Sequence, residues 1–552
     1  MRGRDWVRRR PRRHPARSAG FWTVCRARGM HLTGLVVAFG LVAAAAAPQI
    51  PPHPEGLRFS PSSFAPPDPS GMRFELANGL PVYVVPDRSL PLVDVVLAVP
   101  VGDLDEQPEE AGLASMTAAM LRRGGAGDLS PDHLDDEVDA LGARIQTVGA
   151  SARSVVALDC GSEALGRGLE LLASIVLEPR FDAERLAQAK GNLEVSLASR
   201  DDDPRRLLER EWLRLVHGDS APRGRRLTRE AVAAFTPEAL VDFHRRHYGP
   251  EGAVFAVSGD VDAEAVVVRL DELFGDWTAP DQGKRRVAAT SGGGSAEVEV
   301  GASQGEEQAA AAAMPGWWYL DRPGGQAAIA IGHRGAAFES WDDRDRWALL
   351  LLTEILDGPG AVSRLRSRLQ LGEGLTYRVL TYFDIDPPRI VAGPDHAGEF
   401  RVFLETAPES AAEAAGAVLQ ELRRLQGDAV QVGELETAKQ SVLARFPLLF
   451  DRAEATAGRY AEDEFLGRPH EYWARYRGRL SAVTAADIRR AAERFLDPDG
   501  VVLLVVGNWN AARGGRGFQE LRRALGPPRA LVRQASRSRS GAHWEGDFAG
   551  LY

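Results

Sequence analysis

Residues 235–259, FTPEALVDFHRRHYGPEGAVFAVSG, recur 248 positions later as residues 483–507, VTAADIRRAAERFLDPDGVVLLVVG. The two stretches align without a gap. Each has the pattern of a Thr-capped amphipathic helix, a Pro-x-Gly turn and a Val-rich strand that ends at glycine. Two copies of one unit at this separation predict two tandem homologous halves of roughly 200 residues each.

The composition around these copies predicts the domain boundaries. A first domain is expected over 73–280 and a second over 317–510, because the segment between them has the Gly/Ser- and Ala-rich tracts of a linker. The other expected segments are a basic leader and signal peptide (1–47), a Pro/Ser-rich linker (48–72), the interdomain linker (281–316) and a tail (511–552) that is disordered from 527.

The first 47 residues predict export. Residues 1–28 carry a formal charge of +9, and residues 32–47 form an uncharged apolar run that ends in small residues. The run is shorter than the roughly 20 residues that a membrane span needs, which favours signal cleavage near Ala46 or Ala47 over an anchor. We therefore expect a periplasmic or extracellular protein; retention at the membrane by an uncleaved signal is the alternative.

Charge and cysteine content exclude several classes of function. With −10 on the whole chain, the residues after the basic leader carry −19, which argues against a nucleic-acid partner. Cys160 is the single cysteine of the mature chain, so neither an intramolecular disulfide nor a cysteine-based metal site is expected.

Periodicity predicts the elements of the first half. Asn78-Gly79 is a turn pair between two short strand patterns, and a Val-rich strand follows at 92–100. One strand-like stretch covers 144–159. Helices are predicted at 112–123, 131–141, 162–177, 182–199 and 204–215.

Several short motifs, different in the two halves, together resemble a known family by their order and spacing. They include Leu76-Ala-Asn-Gly-Leu80 and Leu141-Gly-Ala143 in the first half, and Ser363-Arg-Leu365 and Gly374-Leu-Thr-Tyr377 in the second. This arrangement is similar to the insulinase, pitrilysin and mitochondrial-processing-peptidase family of zinc peptidases over residues 73–508. The resemblance implies an α+β fold of two tandem homologous domains, each an antiparallel sheet backed by helices.

The same resemblance implies a zinc site that this chain has lost. In the family, one face of the helix matching 112–123 carries H-x-x-E-H, in which two histidines bind zinc and the glutamate is the base. Here Ser115, Ala118 and Ala119 occupy that face, and the position of a third ligand is Ser196. Glu194 is near, but two residues along a helix rotate a side chain by roughly 200°. We expect no catalytic residue and no metal in this chain.

Two further sites follow from the resemblance. Inactive units of the family often supply an Arg and a Tyr, seven residues apart, to the partner's active site. Tyr377 matches the Tyr, but Gln370 stands where the Arg would be, and Arg366 or Arg368 could replace it only through a shift of the loop around Gly372.

A strand edge is the second of these sites. In active relatives, the strand that matches Gly142, Ala143, Arg144, Ile145 and Gln146 takes substrate peptide as an added strand. An ordinary strand covered by a neighbour is the alternative, and the pattern of residues does not separate the two.

His244 and His247 are the other metal-like pair, at i and i+3 of a helix. A zinc site would need a third ligand from elsewhere, and the second copy of the repeat has Ala492 and Phe495 at these positions. A pair of surface histidines is the favoured interpretation.

The sequence therefore predicts an exported, non-catalytic homologue of a zinc metallopeptidase that is inactive alone. It would pair with a zinc-bearing subunit of the same family, and the two would form a chamber that holds unfolded peptides for proteolysis. The chain itself would need no cofactor, and zinc would reside in the partner. A structural or peptide-binding scaffold without a protease partner is the alternative.

Overall fold

The computed structural model describes residues 64–219, 221–279, 314–335, 338, 340–359, 363–384 and 398–531. The predicted signal peptide and nearly all of the interdomain linker lie outside these residues. From Phe64 onward the chain forms one compact unit.

The first half builds a six-stranded sheet in the order β1-β2-β6-β3-β5-β4. Its strands are β1 (Arg73–Glu75), β2 (Pro81–Pro86), β3 (Leu92–Val99), β4 (Arg144–Gly149), β5 (Ser154–Gly161) and β6 (Val254–Gly259).

The second half builds another six-stranded sheet with the equivalent order, β12-β7-β11-β8-β10-β9. Its strands are β7 (Gly316–Asp321), β8 (Ala327–Arg334), β9 (Thr376–Phe383), β10 (Glu399–Thr406), β11 (Val502–Gly507) and β12 (Arg529–Ala530). The predicted α+β fold of two homologous halves is confirmed.

Helices surround both sheets. Those of the first half are α1 (Leu113–Arg123), α2 (Pro131–Ala140), α3 (Leu165–Leu177), α4 (Ala183–Ser199), α5 (Pro204–His217), α6 (Arg229–Ala234), α7 (Pro237–His247) and α8 (Ala263–Phe274). Those of the second half are α9 (Arg344–Asp357), α10 (Ala411–Gly427), α11 (Val432–Arg445), α12 (Ala453–Leu466), α13 (Tyr472–Ala482), α14 (Ala485–Phe495), α15 (Trp509–Gly514) and α16 (Phe518–Leu525). Across the described ranges, no helix combines the length and the apolar character that crossing a membrane requires.

The internal repeat forms the same structure twice. The Thr236 side chain accepts a hydrogen bond from the backbone N–H of Ala239 at the start of α7, and the Thr484 side chain accepts one from Asp487 at the start of α14. Each helix leads through its turn into a buried central strand, β6 or β11. The repeat thus places one strand at the centre of each sheet.

Three sequence expectations need correction. Each sheet is mixed rather than wholly antiparallel, because the late strands β6 and β11 pair parallel with β2 and β7. The stretch 144–159 is a hairpin of two antiparallel strands, since the chain turns between Gly149 and Ser154. The tail is not disordered at 529–531, because Arg529 and Ala530 pair with β7 and Leu531 donates a backbone hydrogen bond to Tyr319.

Each half lends one helix to the outer face of the other half's sheet. Helix α5 packs against β8 and β11, where Leu208, Trp212 and Leu215 are fully buried. Helix α12 packs against β2 and β6, where Tyr460 stacks on Tyr83 of β2. The inner face of each sheet packs against the helices of its own half, so both sheets are covered on two sides.

Candidate functional site

Helix α1 carries the positions of the predicted zinc motif and is fixed at its start by a buried carboxylate. Glu106, which is 6% exposed, accepts hydrogen bonds from the backbone N–H groups of Gly112 (3.0 Å) and Ala114 (2.8 Å). The apolar stripe of α1 that includes Met116 and Met120 is buried in the core of the first half. The helix is therefore held rigidly, with the face of residues 115, 118 and 119 turned toward β4.

That face is partly covered by β4. The Ser115 hydroxyl donates a hydrogen bond to the Asp103 carboxylate (3.1 Å), Ala118 is fully buried and Ala119 is half-buried. Gly149 of β4 lies so near that a Cβ there would be 3.0 Å from the Cα of Ser115 and 3.1 Å from the Cβ of Ala118. A larger side chain at position 118 would therefore meet β4.

The fourth predicted position lies in a different environment. Ser196 is exposed on α4, which contacts the core through Leu186, Leu193 and Leu197 on its other side.

The side chains at these positions do not fit zinc. Zinc requires imidazole, thiolate or carboxylate donors, and the chain offers two hydroxyls and two methyls. Within the described part of the chain, no three His, Cys, Asp or Glu side chains are grouped so that they could hold a metal ion. No step of metal chemistry is therefore derived for this chain.

Asp103 and Glu106, which sequence reasoning missed, are the polar residues that stabilise the start of α1. Burial raises the pKa of Glu106 to about 7, against the lowering effect of its two backbone donors, and burial also raises the pKa of Asp103. The Arg225 guanidinium donates to the backbone carbonyl of Glu106 (2.7 Å) and partly offsets the burial of both carboxylates. Glu106 lies seven residues before Leu113, the first residue of the helix, too far for an ordinary capping motif to reveal it.

Strand β4, the predicted peptide-binding edge, is the last strand of the first sheet. Among the described residues its one partner strand is β5. Arg144 and Gln146 are exposed and Ile145 is buried, while Gly142 and Ala143 form the turn before the strand. The outer backbone groups of β4 are therefore placed where an added strand would pair.

Gln370 and Tyr377 meet at the start of β9, the edge strand of the second sheet. The Gln370 side-chain amide donates to the backbone carbonyl of Tyr377 (2.7 Å). The Tyr377 ring is 69% exposed, and its hydroxyl donates to the Glu405 carboxylate (3.1 Å), which raises the pKa of the phenol. Arg366 pairs with Asp357 and Arg368 pairs with Glu373 and Glu421, so neither arginine takes the position of Gln370.

His244 and His247 are part of the packing rather than surface residues. His244 Nε2 lies 2.8 Å from the carbonyl oxygen of Val176 and its ring stacks on Tyr248, while the His247 ring packs against Phe243. The pKa of both imidazoles is lowered, chiefly because burial removes the solvation of the charged form. Neutral, packed rings explain this pair without a metal.

The fold and the vacated helix face together define the class of protein: a two-halved α+β peptidase fold without the residues of its metal centre. Residues 83–216 match the sequence model described as Insulinase (Peptidase family M16), and residues 234–442 match the one described as Peptidase M16 inactive domain. The chain belongs to peptidase family M16, the insulinase family.

Curated relatives have names of the same family. An "uncharacterized zinc protease" of Mycobacterium leprae is 26% identical over 413 residues, which span 72% of this chain and 83% of the relative. An "uncharacterized zinc protease" of Rickettsia bellii is 22% identical over 433 residues, which span 76% of this chain and 94% of the relative.

Solved structures share the fold. A peptidase M16 inactive domain from Pseudomonas fluorescens superposes with a TM-score of 0.64 at 21% identity, covering 79% of this chain and 97% of that one. The periplasmic protease PqqL from Escherichia coli superposes with a TM-score of 0.61 at 15% identity, covering 79% of this chain and 45% of that one. At these identities the likeness concerns the fold alone.

Proposed function

We propose that this chain is an exported, non-catalytic member of the family that pairs with a zinc-bearing subunit and completes a chamber that holds peptides. The observation that carries the proposal is the combination of a helix face without ligand side chains at Ser115, Ala118 and Ala119 with the position of β4 as the last strand of its sheet. The zinc ligands and the general base are absent, and an edge strand of the kind that can pair with an added strand supports the proposed role in peptide binding.

Peptide binding at β4 needs no metal. An added strand is held by main-chain hydrogen bonds, and the alternation of side chains on its two faces provides selectivity. Gln146 and Arg144 lie on the exposed face of β4 and would contact the added strand. This role therefore survives the loss of every zinc ligand.

Tyr377 is the residue with which this chain would assist a partner's active site. Its phenol is exposed and donates a hydrogen bond, as a group that polarises a scissile carbonyl must do. In this role the Tyr377 hydroxyl would exchange its hydrogen bond to Glu405 for one to the scissile carbonyl, while the Gln370 amide donates to the backbone of its own chain.

A second candidate is a scaffold that binds peptides or proteins without a protease partner. The specific observation in its favour is again Gln370, because an uncharged amide tied to Tyr377 has no charge with which to stabilise an oxyanion. The two candidates differ in the identity of the partner, which can be measured.

The test is native purification from the source cells, with the zinc content of each chain and the bound proteins measured together. We expect zinc-free chain in a one-to-one complex with a relative that contains H-x-x-E-H. A zinc-free chain alone, or with unrelated proteins, would favour the scaffold. Stoichiometric zinc in this chain by itself would overturn both candidates. A matched preparation of the Tyr377→Phe variant separates assistance from assembly: the complex should persist while its peptidase activity falls.

A further inference from the structure

Helix α12 leaves part of the outer face of the first sheet uncovered. A cavity of about 350 Å³ lies between α12 and strands β3, β4, β5 and β6. Small apolar side chains line both of its sides: Val96, Ala98, Ala157 and Ala256 on the sheet, and Ala457 and Ala461 on the helix. We call this cavity the α12 groove.

Comparison of the two halves shows why the groove exists. Helices α5 and α12 are equivalent, because both their first and their last residues lie 249 positions apart. Trp212 of α5 therefore corresponds to Ala461 of α12. In the second sheet Trp212 is fully buried against the outer face, whereas Ala461 leaves that volume open.

The sheet residues beneath the two helices also differ in side-chain size. Phe403 of β10 pairs with Ala330 of β8, and Ala157 of β5 pairs with Val96 of β3 at the equivalent point of the first sheet. Phe403 belongs to the same buried cluster as Trp212. Two large residues that fill the second sheet are thus alanines in the first.

Carboxylates gather at one end of the groove. Asp94 of β3 and Asp159 of β5 are cross-strand neighbours, and Glu454 begins the wall formed by α12. Burial, then Glu454 and Asp159, raises the pKa of Asp94 to about 6. Arg452 pairs with Glu454 (3.3 Å) and opposes the rise in the pKa of Asp94, and Arg144 of β4 lies opposite Asp159, but neither aspartate is in an ion pair with a described Arg or Lys. The equivalent of Asp94 in the second sheet is Ala328, so this charge is particular to the groove.

The other end is closed and electrically balanced. Arg153, in the turn between β4 and β5, lies 3.8 Å from the Glu462 carboxylate of α12, and its guanidinium is 5.6 Å from the centroid of the Phe465 ring. This bridge joins the hairpin of β4 and β5 to α12. The groove therefore has an apolar middle, a neutral closed end and a negative end.

We propose that the α12 groove binds a single-chain amphiphile whose head group is cationic, such as an alkylammonium compound. A hydrocarbon chain satisfies the apolar middle, whereas an extended peptide lying there would leave backbone amides without partners, at a cost in free energy. A positive head group balances Asp94 and Glu454, the two carboxylates that line this end of the groove. The groove adjoins the proposed peptide-binding edge, because Gln146 of β4 lines it, but the amphiphile would lie on the face of the sheet rather than along the backbone edge of β4.

The test is calorimetric titration of the full chain with decyltrimethylammonium below its micelle concentration, beside decanoate and decanol. We expect one site per chain for the cation, and at least tenfold weaker binding of the other two compounds. Equal binding of decanoate, or uptake of many molecules per chain without a discrete site, would overturn the proposal.

Variants test the location of the site. Ala461→Trp places the residue of α5 into the groove and should weaken binding of the cation tenfold or more, whereas Val432→Trp, at a position that is 78% exposed, should not change it. Ala157→Phe serves if the first variant fails to fold, as judged by its melting curve. The double variant D94N with E454Q leaves the packing intact and should weaken the cation several-fold without affecting decanol. Unchanged affinity for the cation in the filled and the charge-neutral variants would refute the assignment.

Discussion

The vacated zinc positions have become ordinary packing. Ser115 is bonded to Asp103, and Ala118 is enclosed by α1 and Gly149 of β4. A larger side chain at position 118 would meet Gly149 of β4, so it could be accommodated only if that strand moved. Both α1, which lacks ligand side chains, and β4, which lies against it, therefore oppose restoration of the zinc site.

Restoring the motif with S115H, A118E and A119H should not restore a zinc peptidase. A buried glutamate at position 118 meets Gly149 and lacks a partner, so we expect a loss of unfolding free energy of roughly 2–4 kcal/mol. Urea unfolding and zinc analysis of the purified variant measure both effects, and Ala119→His alone, at a half-buried position, is the milder control. Stoichiometric zinc in a stable triple variant would contradict this account.

Glu106 should make the stability of the first half depend on pH. Burial raises its pKa from 4.5 to about 7 in the folded chain. A raised carboxyl pKa stabilises the folded state below pH 4.5, and this contribution is lost as the pH rises through about 7. The loss is on the order of 3 kcal/mol for a group this buried.

Urea unfolding at pH 5 and pH 8 measures this effect. The wild type should lose stability between the two values and Glu106→Gln should lose much less, while Glu109→Gln, at an exposed surface position, should behave as the wild type does. A slope that is identical in the wild type and in Glu106→Gln would show that other groups cause it.

At the scale of elements, local patterns predicted most helices and strands of the first half, because amphipathic spacing and Thr caps act within a few residues. The sequence pattern did not distinguish a hairpin from a single strand at 144–159, since residues 150–153 lack the Gly or Asn that marks a tight turn. The parallel pairing of β2 with β6 was also missed, because it joins segments about 170 residues apart and has no local signal.

The candidate site likewise has some features that the sequence predicts and others that it does not. The identities of Ser115, Ala118 and Ala119 showed from sequence that ligands were lacking. The bond from Gln370 to Tyr377, the contact of Gly149 with Ala118 and the capping by Glu106 depend on tertiary packing, so no pattern of residues could predict them.

At the same scale, Trp212 of α5 should contribute strongly to the stability of the second half. Trp212→Ala leaves a cavity under the second sheet and removes the donor to the buried Glu399 carboxylate, so we expect a loss of about 3–5 kcal/mol. Urea unfolding measures it, and Val195→Ala, at a position that is 69% exposed, should change stability by less than about 0.5 kcal/mol. A loss below 1 kcal/mol for Trp212→Ala would mean that α5 does not anchor this sheet.

At the scale of the whole molecule, α5 and α12 make the two halves depend on each other. Each helix belongs to one half in sequence and completes the core of the other, and polar contacts strengthen the exchange. The Tyr83 hydroxyl donates to the Glu464 carboxylate (2.9 Å), and the Arg73 guanidinium also donates to it (3.3 Å). The predicted domain boundary near 280 therefore separates two sequence repeats, but it does not separate two independent cores.

Separated halves, residues 64–279 and 314–531, should accordingly fail to fold alone. Each would expose an apolar sheet face together with a helix that has lost its sheet, which favours aggregation. Produced together, the halves should associate into a soluble one-to-one complex, because the buried faces of α5 and α12 match each other's sheets. Sedimentation and circular dichroism of each half, alone and combined, measure this, and the combined pair carrying Trp212→Ala should associate more weakly. A half that is monomeric and cooperatively folded by itself would show that the exchanged helices are dispensable.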